Sequence, residues 1–343
     1  MLTDKQYKDL KKELDECQRP LFFFDDDPDG LSSFLLFYRY KREGKGIIVK
    51  THPKLDETLL PKVEEYNPDK IFILDVAVVD QEFVDKCKRP VIWVDHHGPA
   101  EINNVKYFNP RLADKEKHCP TAELCYGAVQ QDLWIAALGI TADWFYTDTV
   151  KAFQKAYPKL LDKKINVAPD AIYNSRLGTL IRVFSFILKG TTNDAMKYIK
   201  VLTRIDDPEE ILGQTTAQGK FIWKRFVTIN ELYQRLWKDA REAVKDETLV
   251  EFIYDANVMS FSADVSNELI YRYPKKVVLV ARKKGGQVKG SLRCGKHMKL
   301  PPILDKSLIG VEGYGGGHEQ ACGFCVKEED FNRFTSNLRR ELD

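Results

Sequence analysis

The chain has 343 residues, of which 43% are hydrophobic and 30% charged, and its formal net charge is +2. This length is enough for two domains with separate cores, and so small a net charge indicates no class of partner by itself. The seven cysteines are scattered and odd in number, which is typical of reduced thiols and argues against a disulfide framework. The charged first 20 residues lack the apolar core of a signal peptide, and no apolar run is long enough to span a membrane. We therefore expect a soluble cytoplasmic protein without membrane contact.

The strongest pattern is the stretch LFFFDDDPDGLSS at 21–33. Its apolar half predicts a buried strand of a parallel sheet, and 31–42 predicts the helix that follows. Four carboxylates fall where the strand ends, at Asp25, Asp26, Asp27 and Asp29. Such crowding opposes their ionisation, so a pair of divalent cations with oxygen ligands is the simplest hypothesis. The alternative is a solvated acidic turn at the amino end of a helix.

Two further apolar runs also stop at ionisable residues. IFILD predicts a strand over 71–75 that ends at Asp75, and VIWVD predicts a strand over 91–95 that His96 and His97 follow. Other strands are predicted at 47–51 and 107–110, and helices at 4–18 and at 55–66, the latter broken or kinked by Pro61. Strands alternating with helices predict an α/β fold with a doubly wound parallel sheet. The carboxyl ends of its strands should meet at one edge.

The middle of the chain is predicted to be helical. A helix over 132–145 encloses Asp143 among apolar neighbours, where a charge requires a partner or a metal. The region 150–210 is predicted to be helical, with few residues that interrupt helices. One long amphipathic helix over 216–245 is predicted to connect the two domains.

A second, smaller α/β region follows. Its predicted elements are strands at 249–254 and 277–281, a hairpin that turns through Gly285 and Gly286, and helices at 265–273 and 331–342. The segment 282–299 holds seven Lys and Arg and no acid, which makes it the most basic part of the chain.

Carboxylates and imidazoles in this pattern point to metal-assisted chemistry on phosphate. Hard divalent cations prefer carboxylate oxygen, and an imidazole ligand shifts the preference towards Mn²⁺ without excluding Mg²⁺. Two such ions about 4 Å apart can hold a phosphoryl group and lower the pKa of a bridging water, which then acts as the nucleophile. Asp75, on the middle strand, is the natural bridging ligand. Asp95 is expected to orient its neighbours rather than to bind metal.

VDHHGPA at 94–100, preceded by DDDPDG and ILDVA, resembles the DHH phosphoesterase superfamily, and YGGGHEQACGF at 314–324 resembles its DHHA1 domain. Four separated motifs in the right order cover most of the chain apart from the middle helices. The resemblance implies a DHH catalytic domain over 1–215, with its helical part at 150–215. It also implies a connecting helix over 216–247 and a DHHA1 substrate-binding domain over 248–343.

The resemblance implies roles for the motif residues of the first domain. Asp27 and Asp29 would bind different metal ions, and Asp75 would bridge the two. His96 and Asp143 would be further ligands.

The second histidine of the DHH motif, His97, would face the substrate as a catalytic residue with Asp95 beside it. Many members have a histidine where this chain has Phe23. The chain instead carries the DxDxDG form of RecJ-like exonucleases, so that Asp25 would either replace that ligand or tune the site.

In the second domain, the resemblance implies that Arg293, in the pattern SxR, and His318, in the Gly-rich loop, hold the nucleotide. Their neighbours Gly315, Gly316 and Gly317 let a backbone approach a ligand, with amides able to bind phosphate. The active site would lie between the two domains.

Three functions fit these residues. The first is a RecJ-like exonuclease on single-stranded DNA or RNA, as in compact archaeal members, which the basic segments favour because strands are bound through phosphate. The second is a small-substrate enzyme: an oligoribonucleotidase (nanoRNase) with phosphatase activity on 3′-phosphoadenosine 5′-phosphate, or a cyclic-dinucleotide phosphodiesterase. The third is an inactive scaffold of a replication complex, against which the retained metal-ligand types argue. A replication or repair protein is the expected kind of protein partner.

Overall fold

The computed structural model describes residues 1–50, 54–255 and 259–342, and the chain forms two compact units, Met1–Phe226 and Val227–Asp343. The strands of the first unit are β1 (Pro20–Asp25), β2 (Lys45–Val49), β3 (Lys54–Leu55), β4 (Lys70–Leu74), β5 (Val78–Val79), β6 (Val91–Val94) and β7 (Val105–Phe108). Its first helices are α1 (Asp4–Glu16), α2 (Pro28–Lys41), α3 (Leu60–Tyr66), α4 (Gln81–Cys87), α5 (Thr121–Val129) and α6 (Leu133–Ala142). Then follow α7 (Asp148–Ala156), α8 (Ala168–Asn174), α9 (Arg176–Leu188), α10 (Thr192–Leu202), α11 (Pro208–Leu212) and α12 (Ala217–Glu242).

Five strands of the first unit form one parallel sheet in the order β2-β1-β4-β6-β7, and β3 pairs with β5 in a separate two-stranded sheet. Alternate residues of β1 face opposite sides of the sheet. Phe22 and Phe24 contact Phe34 of α2, whereas Phe23 packs on Phe83 of α4. Both faces are therefore covered by helices, which confirms the doubly wound α/β sheet.

Two predicted details of the first unit differ in the structure. The helical stretch predicted over 55–66 is divided, because a 3₁₀ helix covers Glu57–Leu59 and α3 begins only at Leu60, so that Pro61 lies in the first turn of α3, where it removes no backbone bond. Asp143 does not lie inside a helix, because α6 ends at Ala142 and Trp144 takes a left-handed backbone with φ +66°. The apolar pattern continues past this turn without Gly or Pro, so the sequence does not mark the end. Thr51, part of a predicted strand, lies outside the described residues.

The long helix α12 runs through the boundary between the units, which falls after Phe226. The second unit then contains β8 (Leu249–Asp255), α13 (Ser262–Arg272), β9 (Val277–Lys284), β10 (Gln287–Cys294), α14 (Leu300–Ser307), β11 (Gly313–His318), β12 (Ala321–Lys327) and α15 (Phe331–Leu342). Its five strands form one sheet in the order β11-β12-β10-β9-β8, antiparallel except for the parallel pair of β8 and β9. The second unit is thus a smaller α/β domain, as expected.

The predicted Gly-rich loop is a strand. Gly313–His318 forms β11 at the edge of the sheet and pairs along its length with β12. The runs of glycine suggest a loop, but the neighbouring strand supplies the partners for its backbone, and tertiary pairing overrides local preference. Within the described residues, no helix has both the length and the apolar character needed to cross a membrane.

Candidate active site

The acidic motif turns tightly between β1 and α2. Asp27 is the N-cap of α2, and its carboxylate accepts a hydrogen bond of 2.8 Å from the backbone nitrogen of Gly30. A Cβ on Gly30 would lie 2.8 Å from the backbone nitrogen and oxygen of Asp25, so only glycine fits there. Asp29 is buried, and its two oxygens accept bonds from the amides of Thr121 (2.8 Å) and Ala122 (2.9 Å) at the start of α5. The turn and the first residues of α5 thereby fix both carboxylates.

Asp75 directly follows the central strand β4. It is buried, and its φ of +63° places it in the left-handed region, which is strained for a residue with a side chain. Its Oδ1 accepts a 2.8 Å bond from the hydroxyl of Thr121 and lies 3.3 Å from Nε2 of His96. The strained backbone thus aims this carboxylate at the other acids.

Asp95 follows β6 and is fully buried. Its Oδ1 lies 2.7 Å from Nδ1 of His97, and its Oδ2 accepts a 3.0 Å bond from the backbone nitrogen of His97. Tyr107 (3.3 Å) and Asn109 (3.4 Å) also donate to Oδ2. Burial lowers the pKa of His97, but the bond to Asp95 and its charge outweigh burial, so that the pKa is raised overall. Asp95 therefore orients His97.

His96 lies between two acids. Its Nδ1 is 3.7 Å from Oδ2 of Asp143, on the opposite side of the ring from Asp75. The side chains form two groups of three possible ligand atoms, and the atoms of each group lie within 4.8 Å of one another. One group is Asp75, His96 and His97, and the other is Asp29, His96 and Asp143.

The clustered carboxylates raise one another's pKa. Burial, followed by the charge of Asp27, raises the pKa of Asp25 to about 8 and that of Asp29 to about 7. Burial also raises the pKa of Asp27, Asp75 and Asp143. For Asp75, the charges of the other four carboxylates add to the effect. All five acids are therefore close enough to interact.

This set of residues fits divalent cations. Oδ2 of Asp143 is buried and has no hydrogen-bond partner among the described residues. A buried carboxylate oxygen without a partner is costly, and a cation would supply one. The mutual repulsion of the acids calls for positive charge at the same place. Oxygen ligands with an imidazole suit Mn²⁺ and Mg²⁺.

The candidate substrate residues lie in the second unit. Arg293 on β10 donates to Oδ1 of Asn267 on α13 at 2.6 Å. Arg293 and His318 both pair with Ala321 of β12, one from each side, so they lie in one row across the sheet. The remaining candidates, Gly315, Gly316 and Gly317, precede His318 on the edge strand.

Sequence reasoning missed the residues that hold the acids in place. Asn109 bridges Asp95 and the backbone oxygen of His97, and it follows strand β7, so the rule that polar residues gather at strand ends could have found it. Thr121 and Ala122 act partly through backbone amides, which no residue type reveals. Asp26, beside the site residues, forms an ion pair of 3.3 Å with Lys50.

The sequence matches the family described as DHH family, N-terminal domain, over residues 21–151, and the DHHA1 domain over residues 247–343. No curated protein matches the chain. Among solved structures, RecJ of Thermus thermophilus in complex with Mn²⁺ has a TM-score of 0.70 at 17% identity, over 98% of this chain and 54% of that one. The chain thus spans about half the length of that RecJ.

Two other structures are similar. An exonuclease RecJ bound to manganese has a TM-score of 0.65 at 15% identity, over 99% of this chain and 94% of that one. A pGpG-specific phosphodiesterase from Vibrio cholerae has a TM-score of 0.50 at 14% identity, over 94% of this chain and 98% of that one. At these identities the likeness shows the fold alone. Together with the two domain matches, it shows that the chain belongs to the DHH/DHHA1 phosphoesterase superfamily and resembles RecJ-like proteins.

Proposed function

We propose that the protein is a metal-dependent phosphodiesterase that acts as an exonuclease on single-stranded DNA or RNA and releases mononucleotides. The observation that carries this proposal is the convergence of five carboxylates and His96 at the carboxyl ends of β1, β4 and β6, with a buried oxygen of Asp143 left without a hydrogen-bond partner among the described residues. The DxDxDG motif and the basic segment 282–299 favour a nucleic acid strand as the substrate.

The acids of the first unit have the chemistry of a two-cation site. Asp29, Asp75, Asp143 and His96 would hold the ions, with Asp27 and Asp25 alongside, and the imidazole favours Mn²⁺ over Mg²⁺. When bound, two divalent cations lower the pKa of a water and offset the charge of the phosphate.

His97 would serve the reacting phosphate. Its Nδ1 is committed to Asp95, which leaves Nε2 to face the substrate and to donate a proton to a phosphate oxygen. In the second unit, Arg293 and His318 would hold the nucleotide, and a guanidinium suits phosphate because it can donate two parallel bonds.

A second candidate is a hydrolase of short nucleotides. The fold likeness that spans 98% of the pGpG-specific phosphodiesterase supports it. Linear or cyclic dinucleotides, short oligoribonucleotides and 3′-phosphoadenosine 5′-phosphate are its expected substrates.

One experiment separates these candidates. Purified protein with Mn²⁺ is given end-labelled 5-mer and 30-mer DNA and RNA, and separately pGpG and 3′-phosphoadenosine 5′-phosphate, and the products are resolved over time. Degradation of the 30-mer to mononucleotides, slowed steeply by salt, supports the exonuclease. Hydrolysis restricted to the short substrates, with little effect of salt, supports the second candidate.

The matched variants are Asp75→Asn and Asp26→Asn. Asn tolerates the left-handed backbone at position 75, so the first variant removes a proposed metal ligand without a change of fold. Asp26, which is exposed and paired with Lys50, is the control within the same acidic stretch. The proposed chemistry requires turnover to fall by orders of magnitude in the first variant only. Absence of Mn²⁺-dependent hydrolysis in the wild type would leave the scaffold hypothesis.

A further inference from the structure

The sheet of the second unit has one closed face and one partly open face. Leu304 of α14 and Phe334 of α15 pack on the closed face with Phe324 of β12. On the other face, α13 covers the strands around Arg293, which bonds to Asn267 of that helix. Over β11 and β12 this second face remains accessible, and Tyr314 there is 60% exposed.

Strand pairing arranges the open face in three parallel rows. Residues that pair across a sheet, and residues two apart on one strand, face the same side. The tyrosine row consists of Tyr314, Cys325, Lys289 and Arg282. The glycine row consists of Gly316, Gly323 and Ser291, and the histidine row consists of His318, Ala321 and Arg293.

The glycine row has small side chains or none, so it forms a floor that lies lower than the tyrosine row and the histidine row on either side. Among the described residues, a Cβ on Gly316 would meet no atom within 4 Å, and one on Gly323 would meet only the backbone oxygen of Gly290, at 3.9 Å. A cavity of about 590 Å³ lies over this floor and reaches Ser262 at the amino end of α13. Tyr314 and His318, which belong to the two outer rows, are four residues apart on strand β11. The tyrosine row and the histidine row are therefore about 13 Å apart.

The tyrosine row offers positive charge and an exposed ring. Arg282 and Lys289 line the cavity, and no acidic side chain lines it among the described residues. Neither cation forms an ion pair with any residue that the structure describes, whereas the neighbouring Lys283 faces the other side and pairs with Glu328 at 3.1 Å. Cations in one row with an exposed aromatic ring, next to a row of bare backbone, are a combination that binds single-stranded nucleic acid.

We propose that the tyrosine row and the glycine row form a nucleotide subsite for a single strand, next to the nucleotide that Arg293 and His318 are proposed to hold. The base stacks on Tyr314 above the glycine floor, and Arg282 and Lys289 bind the phosphates. This inference rests on the proposed function and deepens it, because a second subsite favours strands over single nucleotides.

Binding of a fluorescein-labelled 12-mer of deoxythymidine to the full chain tests the subsite. The Kd is measured by fluorescence anisotropy in EDTA and again with Ca²⁺, so that the readout does not depend on turnover. Tyr314→Ala raises the Kd about tenfold or more, whereas Tyr314→Phe keeps the stacking ring and stays close to the wild type. An unchanged thermal transition shows that the exposed tyrosine is not needed for folding.

Charge is tested with the double variant Arg282→Ala/Lys289→Ala. It weakens binding and reduces the slope of log K against log salt by about 0.7 for each phosphate that is no longer neutralised. Lys283→Ala, adjacent in sequence but on the closed face, is the control and changes neither quantity.

The outcomes keep the two proposals apart. If the wild type binds no 12-mer under either condition, the proposal of a strand substrate fails. If the wild type binds but Tyr314→Ala and the double variant bind equally well, the subsite is refuted and the exonuclease proposal stands. Weaker binding in the Lys283→Ala control would mean that the strand responds to surface charge in general. That outcome would likewise overturn the subsite.

Discussion

Asp95 holds His97 at two points, through the ring Nδ1 at 2.7 Å and through the backbone nitrogen at 3.0 Å. Asn109 closes the arrangement by donating to the backbone oxygen of His97 at 3.0 Å. The carboxylate thus fixes which ring nitrogen carries the proton and where the other points. His97 is therefore held in the site by two buried side chains, those of Asp95 and Asn109.

We predict that Asp95→Asn lowers turnover about 10- to 100-fold while KM and the affinity for Mn²⁺ change little. The amide cannot hold the ring in the same tautomer, but it leaves the carboxylates of the proposed metal site in place. Steady-state kinetics and calorimetric titration with Mn²⁺ measure the two effects. Tyr107→Phe, which removes the 3.3 Å hydrogen bond to the same carboxylate, is the milder control. A wild-type kcat in Asp95→Asn would contradict the assigned role.

Removal of metal should destabilise the wild type, and Asp75→Asn should reverse part of that effect. In the metal-free protein, five clustered carboxyls oppose one another's ionisation, and the neutral amide at position 75 removes the central one. At pH 8 in EDTA, we expect the melting temperature of the variant to exceed that of the wild type by a few degrees.

The same melting experiment with Mn²⁺ supplies the control. Added Mn²⁺ should raise the melting temperature of the wild type and of Asp26→Asn, because an ion bound only by the folded state stabilises it. The gain in Asp75→Asn should be much smaller. Equal gains in all three proteins would mean that the ion binds elsewhere.

Acid should weaken the attachment of α1 to the sheet. Burial alone would raise the pKa of Glu13, but the hydrogen bonds that it accepts from Lys106 and from Lys70 (2.8 Å) outweigh burial, and the pKa is lowered. A carboxylate with a lowered pKa stabilises the fold above its ordinary pKa, and this contribution is lost as the pH falls through the lowered value.

Glu13→Gln should therefore reduce the free energy of unfolding by about 1–3 kcal/mol at pH 7, and by less at a pH below the ordinary pKa of a glutamate. Urea titrations at the two pH values measure the difference. Glu16→Gln, on the same helix but exposed and 4.0 Å from Lys70, should cost under about 0.5 kcal/mol at either pH. A deficit that stays constant with pH would show that Glu13 contributes by packing and not by charge.

The strands of the first unit and the acids at their ends could be predicted because buried parallel strands are continuous apolar runs. Asp25, Asp75 and Asp95 each directly follow such a run, and the topology of a parallel sheet brings these positions to one edge. That is why residues distant along the chain could be grouped from their sequence pattern. The roles proposed for them in binding metal remain predictions.

The residues that hold the acids of the site in place could not be predicted in the same way. The hydroxyl and amide of Thr121 bind Asp75 and Asp29, yet a helix start after Pro120 looks the same in sequence whether or not it holds an acid. The end of α6 before Asp143 is closed by backbone hydrogen bonds from Trp144 to Thr141 and from Phe145 to Ile140, at a left-handed turn that falls on Trp144 and not on a glycine. For β11, the partner strand decides the structure of a glycine run that by itself indicates a loop.

The turn that carries the acidic motif depends on Gly30. Gly30→Ala would place a methyl group 2.8 Å from two backbone atoms of Asp25, and backbone cannot move aside as a flexible side chain can. The turn would have to open, shifting Asp27 away from its bond to the amide at position 30.

We expect this variant to lose about 1–3 kcal/mol of stability and to bind Mn²⁺ more weakly, as measured by urea unfolding and by metal titration. Gly98→Ala, in the loop after His97, is the matched control, since its added methyl group would meet no atom within 4 Å in the part of the chain that the structure describes. Stability should be unchanged there. If Gly30→Ala unfolds at the wild-type urea concentration and retains its affinity for Mn²⁺, the close approach of this turn to β1 does not position the acids. Asp29 would then have to be held by its two bonds to the start of α5 alone.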